Sequence, residues 1–220
     1  MNQTAGGQFI FESVTVGELT CPVAVWLPVG YDPGRKWPGI LFLHGKGESG
    51  SDGRRHTTVG LGKAIRQHPE RFAAVVVMPQ MPAGSRWEGP LLDVALAALD
   101  QAAERWSIDP QRVALTGLSL GGFGTWTLGG RCPQRFRALV PICGGGNPAD
   151  APQLARVPIW CFHGDADAVI PVQRSREMVA AVRAAGGKVR YTELPGVGHN
   201  AWDAAYGDPQ VISWMLAQCR

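Results

Sequence analysis

The sequence of 220 residues lacks long apolar runs. No segment approaches the ~20 apolar residues that a membrane-spanning helix needs. The segment Met1 to Gly7 lacks the basic start and apolar core of a secretory signal, so we expect a cytoplasmic protein. Repeats, low-complexity tracts and linkers are also missing. The absence of repeats and linkers predicts a single domain over residues 1–220. A chain of this length with 45% hydrophobic residues can bury a β-sheet.

The sequence also lacks a large net charge and cysteines in paired spacing. The net charge is only +3, from 21 basic and 18 acidic residues that are scattered along the chain, which predicts no nucleic-acid partner. The five cysteines are an odd set without the paired spacing of metal sites, so we expect buried small side chains and no metal. The sequence does not indicate an oligomeric state.

The chain does contain a regular alternation of strand and helix patterns. Residues 8–16 and 22–27 alternate apolar and polar side chains and predict an antiparallel pair. Further strands are predicted near 39–43, 73–78, 112–116, 138–142, 157–162 and 189–194, and helices near 58–68, 90–106, 120–131, 172–185 and 208–218. This succession predicts an α/β fold with a mostly parallel, twisted sheet and helices on both faces.

The most informative motif is the G-x-S-x-G segment from Gly117 to Gly121, which follows the apolar run 112–116. A sharp turn from strand to helix holds such a serine in a strained conformation, and the glycines let neighbouring elements approach without a Cβ atom. The helix that follows directs its N-terminus at the reacting centre, where it favours negative charge. Ser119 is therefore predicted to be a nucleophile.

Three histidines follow predicted strands. His199 lies on the loop after the last strand, from which it can reach the serine, and imidazole moves protons near neutral pH, so His199 is the predicted base. His44 and His163 each end a buried strand before a glycine, where imidazole commonly satisfies backbone groups. We expect both of these to be structural.

Three segments together resemble small esterases of the α/β-hydrolase superfamily. They are Leu43 to Glu48 (L-H-G-x-G-E), Gly117 to Gly122 (G-x-S-x-G-G) and Gly198 to Asp203 (G-H-N-x-W-D). The chain is similar over nearly its whole length to the phospholipase/carboxylesterase, dienelactone-hydrolase-like and predicted-peptidase or feruloyl-esterase-like groups. Dienelactone hydrolases proper have a cysteine nucleophile in place of Ser119, so the resemblance does not imply dienelactone chemistry. The short segment from Gly144 to Arg156 leaves little room for an inserted cap.

The resemblance also implies the remaining catalytic groups. Asp167 resembles the acid of these esterases, which gives the chain order Ser, Asp, His. Asp165 is its nearest competitor, and a turn cap is the ordinary explanation for that residue. The oxyanion hole, which binds the negative oxygen of the reaction intermediate, maps to the backbone N–H groups of Leu120 and Lys46.

These expectations combine into a function. We expect a serine carboxylesterase without a cofactor that hydrolyses small soluble or aromatic esters, hydroxycinnamoyl esters among them, through an acyl-enzyme on Ser119. Trp87 and Trp202 are candidates to stack against an aromatic acyl group. Two alternatives stay open, namely a serine peptidase or amidase with the same triad and a non-catalytic ligand-binding module on the hydrolase fold.

Overall fold

The computed structural model describes residues 7–220 of the chain. The expectation that no secretory signal is present rests on Met1 to Gly7, and all of that segment except Gly7 lies outside the described residues. Within residues 7–220, no helix is both long and apolar enough to cross a membrane.

The described residues form eight strands and seven α-helices, in agreement with the predicted α/β class. The strands are β1 (Gln8–Val16), β2 (Leu19–Leu27), β3 (Trp37–Leu43), β4 (Val75–Pro79), β5 (Ile108–Leu118), β6 (Ala138–Ile142), β7 (Ile159–Gly164) and β8 (Val189–Leu194). The helices are α1 (Leu61–Gln67), α2 (Pro90–Arg105), α3 (Leu120–Arg131), α4 (Ala151–Leu154), α5 (Gln173–Ala184), α6 (Trp202–Gly207) and α7 (Pro209–Gln218).

All eight strands join one sheet in the order β1-β2-β4-β3-β5-β6-β7-β8. The predicted antiparallel pair β1 and β2 is confirmed, and β2 also runs antiparallel to β4, while the strands from β3 to β8 are parallel. The carboxyl ends of the parallel strands therefore meet along one edge of the sheet. Ligands of open α/β sheets bind at this edge.

The sheet separates two buried apolar clusters. Alternate residues of β3 enter opposite clusters, with Leu41 and Leu43 on one face and Ile40 and Phe42 on the other. Helices α2, α3, α4 and α5 cover the first face, whereas α1, α6 and α7 cover the second. Both faces are buried, which explains why the parallel strands have continuous apolar runs.

Two short helices were not expected from the sequence. Helix α6 has six residues and α4 has four, both below the length at which periodicity identifies a helix. In the described part of the chain, α4 and one 3-10 turn, Pro148–Asp150, are the only helical elements between β6 and β7. This connection agrees with the expectation that no cap is inserted there.

The glycines of the G-x-S-x-G segment are required by backbone packing. A Cβ atom on Gly121 would lie 1.8 Å from the carbonyl oxygen of Leu43, and one on Gly117 would lie 2.3 Å from the oxygen of Gly121. Both oxygens belong to the backbone, so a flexible side chain cannot move to make room. Strand β3 and helix α3 therefore approach each other closely because a glycine lies between them.

Replacing Gly121 by alanine should lower the free energy of unfolding by about 3 kcal/mol or more, since β3 and α3 must separate to admit the methyl group. Denaturant unfolding followed by circular dichroism measures the change. Gly207→Ala is the matched control, because an added Cβ there has nothing within 4 Å. Equal stability of the two variants would contradict the packing argument.

Candidate active site

Ser119 lies between the end of β5 and the start of α3, with φ 55° and ψ −118°. Few residues other than glycine adopt such angles, which cost about 1–3 kcal/mol. Its N–H donates to the oxygen of Ile142 at 2.9 Å, and its own carbonyl accepts from the N–H of Phe123 at 3.1 Å. These bonds fix the turn, so the serine stands above the carboxyl edge of the sheet.

The structure brings Ser119, His199 and Asp167 together. His199 Nε2 is 3.0 Å from Ser119 Oγ, and His199 Nδ1 is 2.7 Å from Asp167 Oδ2. Because an ionised carboxylate only accepts, Nδ1 carries the ring hydrogen and Nε2 is left to accept the hydroxyl proton. This is the arrangement that activates a serine for attack.

Asp167 is buried yet well supplied with donors. Its Oδ1 accepts from the N–H groups of Val169 and Ile170 at 2.8 Å and 2.9 Å. Burial raises the pKa of Asp167, but the hydrogen bonds from His199 and from these two amides outweigh it, so the pKa lies below its ordinary value. The carboxylate is therefore ionised at neutral pH and holds His199 in the required tautomer.

The competing carboxylate, Asp165, lies elsewhere. It is exposed and accepts from the N–H of Gly196 at 2.7 Å, which ties down the turn after β8. Of the two aspartates, the structure places only Asp167 in contact with His199.

Leu120 and Lys46, the two residues whose amides form the predicted oxyanion hole, both line the cavity beside Ser119. Leu120 is the first residue of α3, and Lys46 is the first residue of a 3-10 turn, Lys46–Glu48. The N–H groups of first helical residues have no partner within the helix. The Glu48 carboxylate accepts from the N–H of Gly45 at 3.0 Å and so ties down the loop that carries Lys46.

Trp87 was a candidate to stack against an aromatic acyl group, and the structure corrects this by placing it in the core. Its side chain is only 2% exposed, and its Nε1–H donates to the carbonyl of His44 at 2.8 Å. It lines a smaller cavity of about 230 Å³ instead of the one at Ser119. Trp87 therefore holds the loop after β3 through this hydrogen bond. The loop sequence alone did not distinguish a packing tryptophan from one that contacts substrate.

Trp202, in contrast, lies at the site. It is half-buried at the start of α6, and its ring meets the His199 ring edge to face at 5.2 Å between centroids. The cavity that it lines has a volume of about 530 Å³. Its walls also contain residues that sequence analysis did not single out, namely Leu118, Phe123, Arg86, Val169 and Ile170. Phe123 could have been predicted from the sequence, because it lies one helical turn after Ser119 and therefore on the same side of the helix.

His44 and His56 form a buried pair, with 5.8 Å between their ring centroids. His44 Nδ1 donates to the oxygen of Gly45 at 2.7 Å, while Nε2 accepts from the N–H of Met81 at 3.0 Å, which requires a neutral ring. Burial lowers the pKa of His44 to about 3, and burial lowers the pKa of His56 to about 4. Both histidines are therefore structural and uncharged at neutral pH.

Acid should consequently destabilise the fold. The unfolded chain protonates both histidines near their ordinary pKa of 6.5, while the folded protein resists until about pH 4. The contribution of these two neutral histidines to the free energy of unfolding is therefore complete above pH 6.5 and decreases as the pH falls below that value. Between pH 7.5 and pH 5 the free energy of unfolding should decrease by about 2–4 kcal/mol. Guanidinium unfolding at each pH measures this loss. His56→Gln should make the loss roughly half as large, and an unchanged pH profile would contradict the assignment.

Cys143, Asp167 and His199 bring a thiol, a carboxylate and a ring nitrogen within 4.8 Å of one another. The thiol donates to the carbonyl of His199 at 3.2 Å, and burial raises its pKa to about 12. A cation would have to remove that proton and break the bond between Asp167 and His199, so this donor set fits a metal poorly.

Comparison with known proteins places the chain in a family. The Dienelactone hydrolase family matches residues 67–206, well over half of the chain. The poly(3-hydroxyoctanoate) depolymerase of Pseudomonas fluorescens is 26% identical over 227 residues, which cover 86% of this chain and 77% of the depolymerase. Acyl-protein thioesterase 1 of Gibberella zeae is 26% identical over 104 residues, 43% of each protein.

Solved structures agree with the fold. A thermostable esterase superposes with a TM-score of 0.85 at 33% identity, over 96% of this chain and 63% of the esterase chain. The chain thus spans less than two thirds of that structure. The S954A mutant of the feruloyl esterase module from Clostridium thermocellum, complexed with sinapinate, superposes with a TM-score of 0.77 at 16% identity, over 98% of this chain and 90% of the module, and at that identity it shows the fold alone. The resemblance stated from the sequence is confirmed, and the chain belongs to the dienelactone hydrolase family of α/β-hydrolase enzymes.

Proposed function

We propose that the chain is a serine carboxylesterase that hydrolyses small or aromatic esters, hydroxycinnamoyl esters among them, through an acyl-enzyme on Ser119. The observation that carries the proposal is the unbroken set of hydrogen bonds from Ser119 through His199 to Asp167, at the base of a largely apolar cavity. Ser119 occupies the position where dienelactone hydrolases proper have a cysteine, so hydrolysis by a serine is proposed in place of dienelactone chemistry.

The geometry supports a two-step acyl transfer. His199 Nε2 takes the hydroxyl proton as Ser119 Oγ attacks the ester carbonyl, and the N–H groups of Leu120 and Lys46 stabilise the negative oxygen. His199 then gives its proton to the departing alcohol. Water, deprotonated by the same histidine, attacks the acyl-enzyme and releases the acid. Asp167 stabilises the imidazolium in both steps.

The cavity supports the choice of ester. Its volume of about 530 Å³ suits a small molecule, and its apolar walls include Leu120, Phe123 and Ile170. The Trp202 ring beside His199 offers an aromatic acyl group an edge or face to pack against. Two similar proteins have names that fit this chemistry, the thermostable esterase and the feruloyl esterase module with sinapinate.

Peptide hydrolysis is the second candidate, favoured by one specific similarity. The acylamino-acid-releasing enzyme of Arabidopsis thaliana is 39% identical over 70 residues, but these cover only 30% of this chain and 9% of that enzyme. Amide hydrolysis also demands protonation of a poor leaving group. We therefore place amides second to esters.

The test compares matched substrates. Purified protein should hydrolyse 4-nitrophenyl esters and methyl hydroxycinnamates faster than the anilides of the same acids. A phosphonate serine-hydrolase probe should add to the peptide that contains Ser119, and the protein treated with it should lose all turnover. Faster cleavage of the anilides would establish the peptidase alternative. Folded protein that neither turns over nor becomes labelled would instead indicate a non-catalytic binding module.

A further inference from the structure

A second cavity, which we call the β1–α1 groove, lies between the first two strands and helix α1 and has a volume of about 610 Å³. It shares no lining residue with the cavity beside Ser119. Among the described residues four large hydrophobic side chains are exposed, and two of them, Phe11 at 39% and Val29 at 44%, line this groove together with the buried Trp26 and Ile65. Exposed apolar side chains that lie together mark a surface that binds something.

Two arginines stack on aromatic rings of the groove. Phe9 and Phe11 lie two residues apart on β1, so they point to the same face of the sheet, and their rings stack with 6.4 Å between centroids. The guanidinium carbon of Arg66 is 4.5 Å from the centroid of Phe9, and that of Arg54 is 4.3 Å from the centroid of Phe11. A guanidinium stacked in this way keeps the N–H groups on its edge available for a carboxylate.

The positive charge of the groove has no acidic partner in the described part of the chain. No carboxylate there lies within 4 Å of either stacked guanidinium. The two acids close to these arginines in sequence pair with other residues, Asp52 with Arg55 at 3.7 Å and Glu70 with Arg71 at 3.8 Å. Residues 1–6 contain no aspartate or glutamate either. The groove therefore favours an anion.

The two arginines are held in place by a neutral residue, Thr57. Arg66 donates through Nε to the carbonyl of Thr57 at 3.2 Å and through Nη2 to its hydroxyl oxygen at 2.9 Å. The hydroxyl in turn donates to the carbonyl of Arg54 at 2.8 Å. These bonds fix the loop and the Arg66 side chain without cancelling any charge. Fixing donors before a ligand arrives lowers the entropy cost of binding.

We propose that the β1–α1 groove is a binding site for a small aromatic carboxylate. The ligand ring packs against Phe11 and Trp26, and its carboxylate accepts hydrogen bonds from Arg54 and Arg66. The volume of the groove suits a small molecule. Acids released by the proposed hydrolysis of aromatic esters belong to this class, but binding in the groove does not depend on that reaction.

NMR titration with cinnamate tests the site, because tryptophan indole N–H signals read the two cavities separately. Trp26 lines the groove, whereas Trp202 lines the cavity beside Ser119. The Trp26 signal should move with a Kd of about 1 mM. Cinnamamide lacks the negative charge and acetate lacks the ring, so each should bind in the groove at least about tenfold more weakly.

Two variants separate the groove arginine from arginine stacking in general. Arg54→Gln removes the charge and should weaken the binding of cinnamate at Trp26 at least about fivefold. Arg190→Gln is the matched control, because Arg190 also stacks on an aromatic ring, that of Trp160 at 3.5 Å, but lies on β8 at the opposite end of the sheet. Its Kd should stay within about twofold of the wild type.

Several results would overturn the site. The wild-type Trp26 signal could stay unmoved by cinnamate, or it could respond equally to cinnamamide or acetate, and these comparisons need no variant. Equal weakening by Arg54→Gln and Arg190→Gln would also remove the role of the groove arginines. A Trp26 signal that moves with protein concentration alone would show that a second copy of the chain occupies the groove. Movement of Trp202 without Trp26 would place cinnamate only beside Ser119.

Discussion

Replacing Ser119 by alanine should lower kcat for ester hydrolysis by about 10⁶-fold, since it removes the hydroxyl that contacts His199 Nε2. The fold should be preserved. Alanine carries the same backbone strain at φ 55°, and only one partly buried hydroxyl is lost, so the free energy of unfolding should change by less than about 1 kcal/mol. Initial rates on a 4-nitrophenyl ester and denaturant unfolding of the same preparation measure the two quantities.

Ser107 provides the matched control for this variant. It is another serine with a positive φ, 51°, and its hydroxyl donates to the carbonyl of Pro33, away from the cavity. Ser107→Ala should retain the wild-type rate. Activity of Ser119→Ala above about one hundredth of the wild type would mean that a different group attacks the ester.

The elbow could be predicted from the sequence because its determinants are local. The motif from Gly117 to Gly121 needs only that an apolar strand precede it and a helix follow it. The structure shows the backbone contacts that would exclude a Cβ at both glycines. The parallel strands could also be predicted from the sequence, since strands buried on both faces have continuous apolar runs.

Elements that depend on tertiary contacts were predicted less well. Strand β5 begins at Ile108, four residues before the predicted start, because Ile108 pairs with Trp37 across an irregular register that the intervening Pro110 conceals. Helix α6 is held by long-range contacts: Asp203 binds Lys63, and Tyr206 bonds to the hydroxyl of Thr116. Neither partner lies near α6 in the sequence.

The site shows the same division. A resemblance placed Asp167 ahead of Asp165, but only the structure shows that their carboxylates have different partners. The expectation that His163 satisfies backbone groups fits its bond to the carbonyl of Ile170 and gave no indication of its contacts with Ser175 and Asp167. The contact with Ser175 depends on how β7 packs against α5, which no local pattern specifies. Trp87 was misjudged for a related reason, because its partner, the carbonyl of His44, is distant in the chain.

The Asp167→Asn variant should lower kcat by about 10⁴-fold with little change in KM. An amide at this position turns an N–H₂ group toward His199 Nδ1, which drives the ring hydrogen to Nε2, and Nε2 can then no longer accept the proton of Ser119. The amide also removes the negative charge that stabilises the imidazolium. Substrate contacts are untouched, so the loss should appear in kcat, measured from complete rate curves on one ester at pH 7 to 9.

Asp165→Asn separates this effect from a general loss of negative charge near the site. Asp165 uses a single carboxylate oxygen to accept from the N–H of Gly196, and asparagine keeps such an oxygen. Its kcat should therefore stay within about threefold of the wild type. If Asp165→Asn is the inactive variant and Asp167→Asn the active one, the acid is misassigned. If both stay active, a carboxylate is not needed to hold His199, and the proposed acyl-transfer mechanism is wrong in its charge stabilisation.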